Sequence, residues 1–285
     1  PMVDALFEIN AAPSETKGTP AKSVDGSVRR VQPMSAEIRR RYSLDSFYQK
    51  HVDLDGFLVI SSSRVSDNAL LEASYLLDNM LANRNDIRRA LVASHARCVV
   101  MAIDEYTTDL PEQNDLEPTK FWDRRARGLG GTVDRPIVSC GAENLLAISS
   151  DPYSTENILI HEFAHSIHNL ALNVIDPDFD RQLEATYKSA LEHDRWTGTY
   201  AAKNRGEYWA EAVQSYFDTN RENDEVHNHV NSRAELKEYD RRLFDLVDRV
   251  FVGNQFRYSR PQSRMDSPHL RGLDRETLPK FKWRE

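Results

Sequence analysis

His161, Glu162 and His165 stand in the order H-E-x-x-H. On an α-helix, residues four apart differ by about 40° around the axis and about 6 Å along it. Two imidazoles so placed can reach one ion, and imidazole nitrogen suits tetrahedral Zn2+ with bonds of about 2.0–2.1 Å. Glu162 leaves the helix about 100° away from His161. That is too far round to make it a third ligand, yet close enough to take a proton from a water beside the ion. The spacing predicts one Zn2+ per chain, with His161 and His165 as ligands and Glu162 as general base.

H-E-x-x-H is short and arises by chance, most often on exposed helices. Here it lies among Ile158, Leu159, Ile160, Phe163, Ala164, Ile167 and Leu170. Two imidazoles and a carboxylate are costly to bury in such a helix unless something satisfies them, and a metal does so. A zinc centre that hydrolyses needs a third protein ligand and a position left for water. Glu184 and Glu207 are the candidates. Glu184 sits in RQLEATYKS, an ordinary amphipathic pattern whose carboxylate faces solvent. Glu207 opens EYWAEAVQSYF, an apolar run, and a carboxylate there needs a partner. Glu207 is therefore the expected ligand. Glu211, one turn on, is expected to accept from a ligand imidazole and fix its tautomer, with a structural ion pair as the alternative. His168 lies about 10 Å from His161 along the helix, too far to ligate. His193, His227, His229 and His269 lie in polar stretches and read as surface residues.

The elements that must carry these residues show in the periodicity. Apolar strands are expected over 56–63 and 98–104, with helices over 66–84 (capped by Ser66 or Asp67) and 85–94 between them. Residues 105–135 read as loop. The RGLGG segment fits either a structural turn or the rim of an active site, and without a Lys-Ser/Thr ending it is not a phosphate loop. Residues 136–149 read as two short strands or one kinked strand, available to pair with an extended peptide. From 154 onward the chain turns helical, around a buried central helix bearing the metal motif. Further helices are expected after 176, over 207–217 and over 232–251. The organisation expected is an irregular arm (1–35), a catalytic domain (36–255) and an extended tail (256–285). The domain divides into a sheet lobe (36–150) and a helical lobe (151–255), which is an α+β class.

The chain has 285 residues, 40% of them hydrophobic, enough for a substantial core. No apolar run approaches the roughly 20 residues needed to span a bilayer. The net charge of -8 argues against a nucleic-acid partner. The local cluster Arg29, Arg30, Arg39, Arg40 and Arg41 reads as a solvated arm, with an anionic partner as the lesser alternative. Cys98 and Cys140 form neither a disulfide framework nor a thiolate zinc site, and are compatible with two thiols or one bridge. A soluble protein is expected, with a secreted or periplasmic setting slightly favoured over a cytoplasmic one.

HEFAHSIH, TYAAKNRGEYWAEAVQSYF and SRAELKEYDRRLFDLVDRVF together resemble the catalytic domain of anthrax lethal factor and the Pro-Pro endopeptidases. The resemblance covers roughly residues 155–255. It implies a zincin-like domain of the gluzincin type. It also implies that Glu207 in the pattern E-aromatic-aromatic-A-E is the third ligand, and that Tyr200, seven residues earlier, assists catalysis. His168 departs from the family, which often has Asp there. The expected function is a zinc metallopeptidase acting on peptide or protein. Two alternatives share these residues: another zinc enzyme (amide or ester hydrolase, or saccharide lyase) and a non-catalytic zinc-binding module. The intact Glu162 argues against the module.

Overall fold

The computed structural model describes residues 29–285; residues 1–28 of the expected arm (1–35) lie outside the described residues. Six strands form one sheet: β1 (Gln32–Pro33), β2 (Lys50–Leu54), β3 (Phe57–Ser61), β4 (Arg97–Met101), β5 (Gly128–Leu129) and β6 (Ile137–Gly141). Their spatial order is β1-β2-β3-β4-β6-β5, with β3, β4 and β6 parallel and the outer pairs antiparallel. Every residue of β3 and β6 is buried, as expected of parallel strands covered on both faces. Alternate side chains divide between two cores. Val59, Cys98, Val100, Val138 and Cys140 join the main core, whereas Leu58, Ile60, Val99, Met101 and Ile137 meet Leu44, Tyr48 and Leu110 on the opposite face. Cys98 and Cys140 are both buried and unbridged.

The helices are α1 (Ala36–Arg41), α2 (Asp67–Met80), α3 (Asn85–Ala93), α4 (Thr119–Asp123), α5 (Ala142–Leu145), α6 (Ile158–Ile167), α7 (Asn173–Ile175), α8 (Phe179–Glu192), α9 (Arg205–Tyr216), α10 (Arg233–Tyr239) and α11 (Arg241–Val250). Ser66 caps α2 as expected. Helix α6 carries the H-E-x-x-H residues and runs through a wide turn (His168–Leu172) into α7. The result is a mixed α+β protein in which no described helix is long and apolar enough to cross a membrane.

Several local expectations change, and residues 105–135, expected as loop, hold α4 and β5. Residues 32–33, expected in an irregular arm, pair with β2. The basic cluster beside them is partly engaged, since Arg29 bridges Asp55 (3.0 Å) and Asp78 (2.9 Å). The second half of 136–149 is helix α5, not strand. The expected helix 232–251 is two helices, because Asp240 leaves the helical path and caps α11 through Leu243 N–H (3.1 Å). The strand of 136–149 is not available to a peptide: β6 lies between β4 and β5, and β5 is the edge. The tail runs over the surface in short turns, held where Glu72 meets Arg264 and His269 and where Arg284 meets Asp109 and Asp123.

Candidate metal centre

Asn157 caps α6 by accepting from Ile160 N–H (3.0 Å), and Asn144 accepts from Ile158 N–H (2.8 Å). Two of the first-turn donors are thus satisfied inside the protein. Helix α9 begins under Asn204, which accepts from the N–H of Glu207 (3.0 Å). The two helices are locked together where the indole of Trp209 donates to the Ala164 carbonyl (2.8 Å). That crossing brings the first turn of α9 to the Nε2 atoms of His161 and His165.

Nε2 of His161 lies 3.1 Å from Oε2 of Glu207 and 3.2 Å from Nε2 of His165, which in turn lies 3.3 Å from Oε2 of Glu207. A tetrahedral ion with bonds of about 2.0–2.1 Å has ligand–ligand edges of about 3.3 Å. The triangle therefore has the size of one face of a zinc tetrahedron. Among the described residues, these three are the one such group whose ligand atoms all lie within 4.8 Å of one another.

The tautomer also fits. Oε1 of Gln214 lies 2.7 Å from Nδ1 of His161, while the amide nitrogen of Gln214 donates to Glu156 Oε2 (3.0 Å) and the Asn157 carbonyl (3.3 Å). The oxygen is thereby assigned to His161, whose Nδ1 must donate, leaving the Nε2 lone pair aimed at the centre of the triangle. Burial opposes charge on His161, but the hydrogen bond it donates to Glu207 and the charges of Glu162 and Glu211 outweigh it and push the imidazolium up to about 10. Burial likewise works against ionised Glu207, and the two imidazoles nevertheless hold it well below the usual carboxylate range. The cluster favours a positive charge at its centre, whether a proton or a metal ion.

Glu162 and Tyr200 line the same cavity, of about 390 Å3, as the three candidate ligands. Burial and the charges of Glu207 and Glu162 raise the Tyr200 phenol above its ordinary value, so it stays a neutral donor; its Oη lies 3.4 Å from Oε1 of Glu207. The RGLGG segment forms the rim of this cavity. A Cβ on Gly130 would come within 2.5 Å of His165 Cβ, and one on Gly128 within 2.5 Å of Ile158 Cγ2. Only bare backbone lets β5 lie this close to α6. The N–H of Gly131 then donates to Ser166 Oγ (2.8 Å), pinning rim to helix.

Glu184, the other ligand candidate, is absent from the cluster and pairs with Lys188 (3.0 Å) on its own helix. His168 is buried against Asp180 (3.1 Å) and does not reach the centre. Glu211 stands 3.5 Å from Nδ1 of His161, but Gln214 occupies the closer position expected of it. The signal for Gln214 was its place two turns beyond Glu207 on the same face of an apolar helix. His193 and His229 are exposed, as expected. His227 and His269 are half-buried rather than surface residues: the His227 side chain is 6% exposed between Glu211 and Asp224, and His269 meets buried Glu72. Their local sequence is polar, and the carboxylates that receive them arrive from distant elements.

No model of a known protein family matches the chain, and a search of curated proteins finds no significant match.

Proposed function

We propose that the protein is a zinc metallopeptidase of the zincin type, as its resemblance to anthrax lethal factor and the Pro-Pro endopeptidases implies. The observation that carries the reading is the zinc-sized triangle of His161, His165 and Glu207 facing a cavity that also holds Glu162 and Tyr200. Bound by those three side chains, Zn2+ would supply Lewis acidity that brings the pKa of a water toward about 7. Glu162 accepts the proton lost as the water oxygen bonds to the scissile carbonyl carbon. It delivers that proton to the nitrogen as the carbon–nitrogen bond breaks. Tyr200 donates to the carbonyl oxygen as negative charge develops there.

The surroundings favour an extended substrate. The outer edge of β5 has no strand partner among the described residues and lies beside Glu162, so a peptide can add to it by main-chain pairing. The cavity adjoins a second, of about 500 Å3, across Glu156 and Arg221. Such a trough suits a polypeptide better than a compact amide, ester or sugar.

The test is incubation of zinc-loaded protein with a complex peptide library, with Glu162→Gln as control. Cleavage is expected from the wild type, and a loss of about 10²- to 10⁴-fold from the variant at full zinc content. Equal cleavage by both would remove Glu162 from its role. No cleavage by the zinc-loaded wild type would overturn the peptidase reading.

A further inference from the structure

Tyr200 sits at the start of a single short turn (Tyr200–Ala202), and its place depends on a loop that follows α9. Its main-chain N–H donates to the Val226 carbonyl at 2.7 Å. The loop over residues 221–228 buries little apolar surface of its own: Val226 is 40% exposed, and Glu222 to Glu225 are exposed. Polar bonds must therefore hold its shape.

Those bonds converge on one imidazole. Asp224 Oδ1 accepts from the main-chain N–H of Val226 (2.9 Å) and of His227 (3.0 Å), and faces His227 Nδ1 at 2.8 Å. Arg221 pairs with the other oxygen of Asp224 (2.7 Å), and Asn223 N–H donates to the Asn228 carbonyl (2.9 Å). His227 Nε2 lies 3.4 Å from Oε2 of Glu211, which Asn220 also fixes at 3.0 Å. Glu211 is one turn along α9 from Glu207, and Glu207 meets the Tyr200 hydroxyl. The His227 and Tyr200 rings lie within 25° of parallel, 6.3 Å apart. The path from Glu207 through Tyr200, Val226, Asp224, His227 and Glu211 returns along α9 to Glu207 as a closed circuit.

We propose that His227 is a positioning residue for Tyr200: by bridging Asp224 and Glu211 it clamps the 221–228 loop to α9, and the loop holds Tyr200 at the cavity. The clamp rests on the hydrolase reading only for what Tyr200 does once held. His227 is not a catalytic residue, since it acts through the tyrosine.

The experiment uses full-length, zinc-loaded His227→Ala and Asp224→Ala, each alone and combined with Tyr200→Phe. Zinc content, amide hydrogen exchange at Tyr200 and kinetics on the best-cleaved library peptide are followed. Zinc is expected to stay at one per chain in both variants, while exchange at Tyr200 speeds by at least about tenfold as the Val226 bond opens. The kcat should fall by about tenfold with KM within about twofold, and His227→Ala should cost nothing further once Tyr200 is Phe. Unchanged exchange at Tyr200 in both variants overturns the clamp, as do losses that multiply in the double variant. If the wild type cleaves no peptide, the peptidase reading falls and the exchange measurement alone decides the clamp. Should His227→Ala not fold, Asp224→Ala decides it, because that variant keeps the imidazole and removes one of its anchors.

Discussion

Gln214 offers the sharpest perturbation of the centre, because it touches no candidate ligand atom and yet should govern how tightly the ion is held. With zinc on Nε2, Nδ1 of His161 must carry its hydrogen, and Gln214 Oε1 accepts it at 2.7 Å in a fully buried position. In Gln214→Met the side chain keeps its length and loses the acceptor. The ion-free protein can respond by releasing the Nδ1 proton and keeping the one on Nε2, facing Glu207. The zinc-bound protein has no such choice and is left with a buried unpaired N–H, at a cost of about 1–3 kcal/mol. That converts to roughly 5- to 150-fold weaker zinc binding, which brackets the 10- to 100-fold effects typical of such outer partners. Glu211 Oε1, at 3.5 Å, can turn in as a substitute and pull the effect toward the lower end. Competition with a chromophoric chelator measures the ratio, and thermal melting of the ion-free variant checks that the fold survives. Zinc affinity within about twofold of wild type in a folded Gln214→Met would refute the reasoning about the His161 tautomer.

Glu207→Ala should abolish stoichiometric zinc while Glu184→Ala leaves it intact, as read by elemental analysis; the reverse would move the third ligand to α8. Tyr200→Phe should lower turnover by about 10²- to 10³-fold, as for loss of an oxyanion donor, with zinc content unchanged. Unaltered turnover would leave Tyr200 a packing residue. In the ion-free protein the His161 imidazolium is raised from 6.5 to about 10, so its proton stabilises the fold below pH 6.5 and that stabilisation is lost as pH climbs toward 10. Zinc must displace this proton, so its affinity should fall by about tenfold for each pH unit lowered through neutrality. A flat pH profile in chelator competition would show that His161 is already neutral before metal arrives.

What could be read from the sequence was whatever the local pattern alone determines. The apolar flanks of His161 and His165 revealed a buried helix, and the run around Glu207 distinguished its carboxylate from that of Glu184. The hairpin joining β2 and β3 was missed although Asp55 and Gly56, both at positive φ (58° and 94°), make a strong two-residue turn signal. Only three of the five residues of β2 are fully buried, so the strand lacks a continuous apolar run. The break at Asp240 escaped notice for a different reason. Its side chain accepts from Trp196 Nε1 (3.0 Å) and Tyr208 Oη (2.6 Å), and those partners are remote in sequence. The same holds for His227, whose neighbours in sequence are polar and whose burial depends on Glu211.

The electrostatics of the cavity tie these observations together. Glu156, Glu162, Glu207 and Glu211 all line it, and burial raises the Glu156 carboxyl above its usual range. Arginine meets only part of this charge: Arg221 lies 3.7 Å from Glu156, while its closer contact is with Asp224 at 2.7 Å. Four carboxylates gathered in one depression repel one another and lose hydration, a cost that an apolar core would never select. The other three are placed differently. Glu207 faces both imidazoles, Glu211 is shared between His161 and His227, and Glu162 lines the cavity without joining the triangle. A divalent ion at the triangle adds the positive charge that the fold itself withholds. It would sit against Glu207, with Glu162 lining the same cavity, where a general base must stand.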